Sequence, residues 1–449
     1  ALKTDHNHTH YLTPQGWQPF KEIQEIIHVK EAKPIVLTVR ETIWGPVLHN
    51  DGDKHFAFHW VLYHPESLNA NLLRLEAAQN IDEALRLAPH LGMPQQNAVI
   101  VDRDGNIAWT IFGPVPDKMA ADYRYPGDWS SGTVGWRGFL PYAEHPKVKN
   151  PPHGRLWSAN GRTVSGDTFR KVGDGGFVLG ARQRQIRDRL FAMTRPIRIK
   201  DLYALSLDDE ARLLQRWAPR AESIAKSLPH QAANQIVSYL RHWDGRARAD
   251  SVAYRLVRTF RDAVHAEIVG AINQACRQVA KECNYWRLGS RREIVVWELI
   301  TQKPNSWLPR GVASWQALAQ RAAEKAWAPV LASPEKLAQW TWGQRNQTRI
   351  EHPIMRHIPG LAHWYRMPHI GQSGDWFMPK VAQPAFGQSE RLVVQPGNEA
   401  EGLFNMPVGQ SAHPWSPYFG RMHGDWQQGK PQSFWPGKTK WALRLVPVN

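Results

Sequence analysis

The stretch AVIVDRDGNIAWTIFG, residues 98–113, carries the clearest secondary-structure signal in the chain. Two runs of β-branched and aromatic residues flank Asp104 and Gly105, a pair that tolerates the positive φ angles of a tight turn. The stretch therefore predicts a β-hairpin. Two earlier runs of the same character, PIVLTVR (34–40) and FAFHWVLY (56–63), are bounded by turn residues and predict further strands.

A short helix is expected between these strands. Its apolar residues recur at helical spacing and are Leu72, Leu75, Ala78, Ala84 and Leu85. Asn80 is followed three residues later by Glu83, the signature of a capping box in which each side chain bonds the other residue's backbone. The sequence thus predicts a helix in this region, with Asn80 as a candidate N-cap.

The middle of the chain has the periodicity of long amphipathic helices. Apolar residues recur every four positions at Val252, Leu256, Phe260, Val264, Ile268 and Ile272. The stretch SWQALAQRAAEKAW (314–327) begins with Ser314 as a candidate cap and carries its own apolar stripe. Both stripes are interpreted as scaffold packing.

These patterns divide the chain into three parts. Residues 1–190 are strand-rich, 191–350 are mainly helical, and 351–449 are loop-rich. Late strands are predicted at RLVVQ (391–395) and WALRLVP (441–447). Strands followed by helices and then by strands favour an α+β fold over a βαβ alternation.

Composition excludes several classes of protein. The 449 residues carry a formal charge of +16, but the Lys and Arg residues are scattered, which favours a basic solvated surface over a nucleic-acid partner. No run of about 18 apolar residues occurs, so no membrane span is expected. The chain begins ALKTDHNHTH, without an initiator Met or an apolar signal region. We therefore expect a processed chain, a part of a larger precursor or an engineered fragment.

Two cysteines, Cys276 and Cys283, both fall in a segment predicted to be helical. Seven residues of helical rise would separate them by roughly 10 Å. That distance exceeds the reach of an undistorted disulfide, so no bridge is expected and Cys276 is interpreted as a small buried apolar residue.

Self-contained catalytic motifs are missing from the sequence. No G-x-S-x-G nucleophile elbow occurs, and GDWQQGKP (424–431) departs from a phosphate-binding loop because Pro431 replaces the Ser or Thr. His6, His8 and His10 alternate in HNHTH, a pattern that could collect a metal but is better interpreted as a solvated tail. Many of the 22 Trp residues lie beside Gly or Pro, which suits either a large core or a cleft for an apolar ligand.

Several stretches, taken in order, nevertheless resemble one family. They are ETIWGPVL (41–48), PQQNAVIVDRDGNIAW (94–109), WRGFLPYAEHPKVKNPPHGRLWSANGRT (136–163), ARQRQIRDRL (181–190), LRHWDGRARADSVAYRL (240–256), SERLVVQPGNEAEGLFNMPVGQSAHPWSPYF (389–419) and DWQQGKPQSFWPG (425–437). Their succession resembles the β subunit of the penicillin acylase family, which includes cephalosporin and acyl-homoserine-lactone acylases. The individual motifs are loose, but the series runs nearly end to end.

The resemblance implies an N-terminal-nucleophile hydrolase with a four-layer αββα sandwich. In such enzymes a precursor cleaves itself, and the freed β-chain N-terminal Ser attacks an amide carbonyl. The α-amine of that Ser serves as the base, an activation suited to an N-terminal hydroxyl.

This chain departs from the family at its start. It begins Ala1-Leu2-Lys3, and its first family-like segment corresponds to a region roughly a hundred residues past the family's Ser. The resemblance therefore implies that the nucleophile, a backbone oxyanion donor and the usual calcium ligands lie upstream of Ala1. On this view the chain is the C-terminal portion of a β subunit with a helical insertion, an incomplete sandwich that is inactive by itself.

Asn160, in SANGR, is the principal candidate site residue. From the residues alone it could close a turn before Gly161. In the family an Asn at this place donates its side-chain N–H to the oxyanion, and Asn160 matches it, although the usual second Asn is Gly161 here. A fixed neutral amide can stabilise the charge of a tetrahedral intermediate.

Arg182 matches a family Arg that orients the catalytic groups, while its alternative is a surface Arg on a helix that also carries Arg184, Arg187 and Arg189. Asp244 in WDGR and Gln410–Ser411 in GQSAHP also match the family and are interpreted as structural turns. Ser411 has no neighbouring base that would make it a nucleophile.

The resulting hypothesis is an amide hydrolase that releases a carboxylic acid from an N-acyl compound such as a penicillin. Its expected partners are the rest of the β subunit and an α subunit from the same precursor, in a periplasmic or secreted location. No cofactor is required, and calcium could bind in the intact assembly. Trp44, Phe58 and Trp60 could help to line an apolar pocket. The alternatives are an acyl-homoserine-lactone acylase and a non-catalytic Trp-rich ligand-binding module.

Overall fold

The computed structural model describes residues 1–51, 54–119, 123 and 125–447. The chain divides into two compact units. Unit 1 comprises Ala1–Ser158 and Arg162–Phe177, and unit 2 comprises Ala159–Gly161 and Val178–Asn449.

Unit 1 is built mainly of antiparallel strands. They are β1 (His10–Thr13), β2 (Gly16–Pro19), β3 (Lys21–Ile27), β4 (Ile35–Thr42), β5 (Gly45–Asp51), β6 (Lys54–Ala57), β7 (Gln96–Val101), β8 (Ile107–Phe112), β9 (Pro116–Lys118), β10 (Trp136–Phe139) and β11 (Lys147–Lys149). The largest described sheet has the order β3-β4-β5-β6. A second has the order β11-β8-β7, while β1-β2 and β9-β10 form two-stranded sheets.

The hairpin predicted in residues 98–113 is confirmed as β7–β8, with Val101 paired to Ile107. The carboxylate of Asp102 accepts the backbone N–H of Asp104 at 3.1 Å and that of Asn106 at 2.9 Å. Gly105 takes φ +82°, which a side chain rarely adopts. Apolar side chains on the β8 side of the hairpin are buried, so the turn positions part of the unit 1 core.

Two α-helices lie in the described part of unit 1, α1 (Ile81–Leu87) and α2 (Gly166–Val172). The Asn80 cap is confirmed, because its Oδ1 accepts the N–H of Glu83 at 3.0 Å. The reciprocal bond of a capping box does not form as predicted: the Glu83 carboxylate accepts the backbone N–H of Gln79 and the side-chain amide of Asn80, and not the backbone N–H of Asn80. Residues before the cap form 3₁₀ rather than α-helix. The 3₁₀ helices of this unit are Val61–Tyr63, Pro65–Ser67, Asn71–Ala77 and Ala88–His90.

Unit 2 is mainly helical. Its α-helices are α3 (Ala181–Ala192), α4 (Ile199–Ser206), α5 (Arg212–Gln215), α6 (Ala218–Lys226), α7 (Ala233–Arg241), α8 (Val252–Val279), α9 (Arg292–Gln302), α10 (Trp315–Ala332), α11 (Trp342–Arg345) and α12 (His423–Gln428). Its 3₁₀ helices are Tyr285–Arg291, Asn305–Trp307, Pro334–Gln339, Met355–His357, Ala362–Tyr365 and Glu399–Glu401.

Five short strands complete unit 2. They are β12 (Ala382–Gln383), β13 (Phe386–Gly387), β14 (Arg391–Val393), β15 (Leu403–Asn405) and β16 (Gln432–Ser433). They form a β12-β13 pair and a β14-β15-β16 sheet.

The long helix α8 is the axis of the unit 2 core. Its predicted stripe is buried from Val252 to Ile268, and Ile272 at the end of the stripe is half-buried. The predicted cap of α10 is also confirmed, because Ser314 accepts the N–H of Ala317 at 3.0 Å. The helix α8 packs against α6, α7, α9 and α10. Its side chains are therefore buried by several neighbouring helices.

The cysteine prediction was wrong. Cys276 and Cys283 form a disulfide with their Cα atoms 5.9 Å apart. The helix α8 ends at Val279, and the chain turns before Cys283 instead of continuing the helical rise. The turn brings the two sulfurs together.

Two strand predictions were also wrong, the one for residues 56–63 in part and the one for residues 441–447 in full. The run 56–63 leaves β6 after Ala57 and continues as a 3₁₀ helix at Val61–Tyr63. The run 441–447 forms no strand, and Trp441, Leu443 and Leu445 are 75%, 87% and 86% exposed. These apolar side chains have no sheet face to cover them, so apolar composition alone misled the prediction.

The fold class is a mixture of helix and sheet, as predicted. The four-layer sandwich, its incompleteness in this chain and the three-part division at 190 and 350 stay predictions. None of the helices in the described ranges is long and apolar enough to cross a bilayer.

Candidate functional site

The loop that carries Asn160 has an unusual backbone. Ala159 and Asn160 take φ angles of +58° and +61°, two consecutive non-glycine residues in the left-handed region. Asn tolerates this region better than most residues, whereas Ala has no such tolerance. Conformations of this kind cost on the order of 1–3 kcal/mol each and persist only where other contacts hold them.

Two contacts within unit 2 hold the loop. The carbonyl oxygen of Asn160 accepts the N–H of Val178 at 3.1 Å. Its side-chain Oδ1 accepts a hydrogen bond from Nη2 of Arg182 at 2.8 Å. Because a guanidinium can only donate, this contact assigns the amide orientation. The Nδ2 group therefore points away from Arg182, and in the described residues it has no acceptor of its own.

Arg182 lies in the first turn of α3, and its guanidinium contacts Asn160, so the two predicted site residues lie together. Burial lowers the pKa of its guanidinium from the ordinary value, but an arginine stays cationic at neutral pH. A hydrogen bond from a charged donor is shorter and stronger than one from a neutral donor. The contact is thus suited to fixing an exposed amide.

Gly161 explains one departure from the family pattern. A Cβ built on Gly161 would lie 2.2 Å from Oε1 and 3.2 Å from Cβ of Gln183. Any larger residue at 161 must displace Gln183, which follows Arg182 in α3. Gly161 therefore allows the loop to pack tightly against the helix that orients Asn160.

Ser290 is a site residue that sequence reasoning missed. Its hydroxyl accepts the N–H of Leu179 at 3.0 Å. Leu179 is the neighbour of Val178, which in turn donates to Asn160. Ser290 and Leu179 are 111 positions apart in the sequence, so no local pattern could have revealed their contact. Ser290 therefore anchors the segment whose Val178 donates to the Asn160 loop.

The other residues matched to the family make local structural contacts. Asp244 accepts the N–H of Arg246 at 3.0 Å and pairs with Arg248 at 2.7 Å, as expected for a turn. Gln410 donates to the sulfur of Met406 at 3.2 Å.

A cavity of about 760 Å³ opens in unit 1. Its described wall is mainly aromatic and includes Trp44, Phe58, His59, Trp129 and Trp136. Trp44 and Phe58 were predicted to line a pocket; among the described lining residues Trp60 does not appear, and its ring instead lies 6.3 Å from that of Phe58. Such a wall suits an apolar group with few polar requirements.

Two titratable side chains of this cavity are held by backbone carbonyls. His59 bonds the carbonyl oxygen of Trp44 at 2.7 Å, and burial lowers its pKa. Lys118 donates to the carbonyl oxygens of Lys171 and Val172 at 3.2 and 2.5 Å, at the C-terminus of α2. Burial lowers the pKa of Lys118, while the helix C-terminus favours a cation. Both side chains therefore have structural partners.

The described residues hold no cluster of three or more His, Cys, Asp or Glu side chains that could bind a metal. The HNHTH segment is folded rather than a solvated tail: Leu2 bridges to His55, and Nδ1 of His8 lies 2.9 Å from the hydroxyl of Thr4.

Comparison with known proteins places these features in a family. The family model named penicillin amidase matches residues 1–441. The chain is 24% identical to the penicillin acylase 2 proenzyme of Pseudomonas sp. (strain SE83), over 79% of this chain and 46% of that protein. It is 22% identical to the acyl-homoserine lactone acylase QuiP of Pseudomonas syringae pv. tomato (strain DC3000), over 99% of this chain and 58% of that protein.

The fold agrees with a solved structure. A thermostable penicillin G acylase from Alcaligenes faecalis superposes with a TM-score of 0.64 and 18% identity, over 99% of this chain and 86% of that chain. The chain spans about half the length of the curated relatives it matches.

Proposed function

The chain belongs to the penicillin amidase family, and from this premise we propose that it supplies the oxyanion-stabilising part of an acylase. The reaction is hydrolysis of an N-acyl amide to a carboxylic acid and an amine. The observation that carries the proposal is the amide of Asn160, exposed and oriented by Arg182 at 2.8 Å.

In this proposal Asn160 donates from Nδ2 to the oxygen of the attacked carbonyl. Negative charge develops on that oxygen as the tetrahedral intermediate forms, so a donor already in place stabilises the transition state more than the substrate. Removing one such donor typically costs about 3 kcal/mol, or roughly 10²–10³ in kcat.

Arg182 acts through Asn160 rather than on the substrate. Its hydrogen bond to Oδ1 keeps the amide from turning its oxygen toward the oxyanion, which would repel it. The left-handed backbone at Ala159 and Asn160 supports the same role, because strained conformations are often retained where they position a functional group.

The nucleophile in this proposal is a serine encoded upstream of Ala1, in the portion of the relatives' length that the chain does not span. That portion and a further subunit from the same precursor complete the enzyme. The disulfide between Cys276 and Cys283 supports a periplasmic or secreted location, because disulfides persist in oxidising compartments.

The test is substitution of Asn160 in the full-length protein that contains this chain. Asn160→Ala should lower kcat by roughly two to three orders of magnitude with a small change in KM. Asn150→Ala is the matched control, because Asn150 is also an exposed Asn with positive φ (+44°), and its side chain bonds Asn106 and Ile107 within unit 1. An unchanged kcat in folded Asn160→Ala would mean that Asn160 only closes a turn and does not stabilise the oxyanion.

The relatives' names leave two acyl substrate classes open. One relative is named a penicillin acylase and another an acyl-homoserine lactone acylase. Comparing kcat/KM for phenylacetyl amides and for long-chain N-acyl homoserine lactones in the full-length protein separates them.

A second candidate function is a non-catalytic ligand-binding module. The aromatic cavity of unit 1 favours it, because that cavity could hold an apolar ligand without any reaction. Absence of amidase activity across both substrate classes, together with binding of an apolar ligand that Trp136→Ala weakens, would support the module over the enzyme.

A further inference from the structure

A second cavity, of about 400 Å³, lies within unit 2 and is rich in cationic groups. We call it the arginine cavity. Its walls include Arg258, Arg261, Asp262, His265, Ser290 and Arg292, together with the aromatic rings of Trp286 and Phe377. Among these residues only Ser290 is also connected to the Asn160 loop, through its hydrogen bond with Leu179.

The arginines of this region outnumber their carboxylate partners. Asp262, Glu293 and Asp375 are shared among Arg216, Arg258, Arg261 and Arg345. Arg292 adds a further guanidinium that has no carboxylate partner among the described residues. Its one hydrogen bond among the described residues goes to the carbonyl oxygen of Trp286, at 3.3 Å, and its guanidinium lies 4.7 Å from the centroid of the Trp286 ring. The region therefore carries surplus positive charge beside open space.

A buried donor at the cavity lacks a partner. Nε of Arg292 is buried without a hydrogen bond in the described part of the chain. Nδ1 of His265 also has none, but it is the acceptor nitrogen of a neutral ring whose Nε2–H donates to Glu293 at 2.9 Å, so it does not attract an anion. Unpartnered buried polar groups are rare in native proteins and call for an explanation such as a missing ligand.

The start of α9 adds to the positive field. Arg292 is the first residue of this eleven-residue helix, and no side chain caps its N-terminus. A helix N-terminus carries partial positive charge. Glu293 lies in the same first turn but is paired with Arg216 and Arg261, so the neighbouring Arg292 has no carboxylate of its own among the described residues. Gly289, which precedes the helix, also lines the cavity and places no side chain in it.

We propose that the arginine cavity binds a small carboxylate that carries an aromatic ring. A guanidinium fork matches the two oxygens of a carboxylate, and Arg292 is the guanidinium of the cavity that pairs with no carboxylate among the described residues. The ring of Phe377 is buried, with the guanidinium of Arg261 4.7 Å from its centroid, whereas the ring of Trp286 is 38% exposed and is the wall against which an aromatic body can pack. Binding at this cavity uses Arg292 and Trp286 and involves neither Asn160 nor the nucleophile.

The test is isothermal titration calorimetry of this chain with benzoate at pH 7. We expect one benzoate site that Arg292→Met weakens at least tenfold. Arg287→Met is the matched control, because Arg287 is an exposed arginine of the 3₁₀ segment that precedes α9 and lies outside the cavity wall, and it should leave the affinity unchanged. Benzamide, acetate and inorganic phosphate should each bind at least tenfold more weakly than benzoate, and Arg292→Lys should recover part of the affinity.

Several results would overturn the proposal. One is no benzoate binding to the folded chain. Another is binding that Arg292→Met leaves intact but Trp136→Ala abolishes, which would place the ligand in the unit 1 cavity. Phosphate binding as tightly as benzoate, with the same sensitivity to Arg292→Met, would leave a plain anion site without aromatic selectivity. Circular dichroism and the melting temperature establish that each variant is folded.

Discussion

Nη2 of Arg182 lies 2.8 Å from Oδ1 of Asn160, so one hydrogen bond determines which end of the exposed amide faces outward. Arg182→Met removes the donor and keeps the apolar stem. The amide can then turn, and kcat of the full-length enzyme should fall by about tenfold, since a hydrogen bond to a charged group contributes about 1.5–3 kcal/mol. Steady-state kinetics that determine kcat and KM separately measure the effect, and the change should be mainly in kcat.

Arg184 offers the control for this prediction because it lies two residues away on α3 with its side chain 78% exposed. Arg184→Met should leave kcat unchanged. The double variant Asn160→Ala, Arg182→Met should be no slower than Asn160→Ala alone, because Arg182 acts through the amide. Additive losses would show that Arg182 has a separate role.

The close approach of Gly161 to Gln183 gives the second prediction. Gly161→Ala places a Cβ 2.2 Å from Oε1 of Gln183, so the loop or the glutamine must move. We expect a several-fold loss of kcat. Gln183→Ala in the same protein should restore most of it, because removal of the long side chain opens the space. Failure of this rescue would mean that Gly161 is needed for its backbone and not for the close contact.

Ser290 gives the third prediction. Ser290→Ala removes the acceptor of the Leu179 N–H, and an unsatisfied backbone group costs about 1–3 kcal/mol locally. Hydrogen exchange of the Leu179 amide should become faster, and kcat should fall a few-fold because the segment that bonds Asn160 loosens. Ser227→Ala, which alters an exposed serine at the end of α6, serves as the control. Unchanged exchange at Leu179 would contradict a positioning role.

Local signals predicted local structure well. The Asn80 cap, the Asp104-Gly105 turn and the Ser314 cap each depend on residues a few positions apart, and all three formed. Prediction was weaker where distant contacts decide the outcome. The disulfide needed the end of α8 at Val279, which no strong breaker marks, and residues 441–447 needed a neighbouring strand that the described chain does not supply.

The candidate site shows the same division. Asn160 and Arg182 could be selected by their resemblance to family motifs, and the structure places them in contact. Ser290 could not be selected, because its contact with Leu179 spans 111 residues. The arginine cavity was equally hidden, since its charged groups come from α8, α9 and the segments around them and are dispersed along the sequence.

The buried His265 gives the last prediction, on stability. Burial lowers its pKa to about 4, while an unfolded histidine titrates near 6.5. Below pH 6.5 the unfolded chain therefore binds a proton that the folded chain does not accept until about pH 4. The contribution to stability is complete above pH 6.5 and is lost as the pH falls toward 4. Between pH 7 and pH 5 the loss should be about 2 kcal/mol.

Urea denaturation at pH 7, 6 and 5 measures this loss. His265→Gln keeps an N–H that can donate to Glu293, as Nε2 does at 2.9 Å, but cannot titrate. Its free energy of unfolding should fall by about 2 kcal/mol less than that of the wild type over the same pH range. Glu293 and Asp262 have pKa values below their ordinary values, so their contributions to stability are lost only at lower pH. Both carboxylates are present in the wild type and in His265→Gln, so they do not account for a difference between the two proteins. His242→Gln, at an exposed histidine, should keep the wild-type slope. Equal slopes for wild type and His265→Gln would mean that His265 titrates normally in the folded chain.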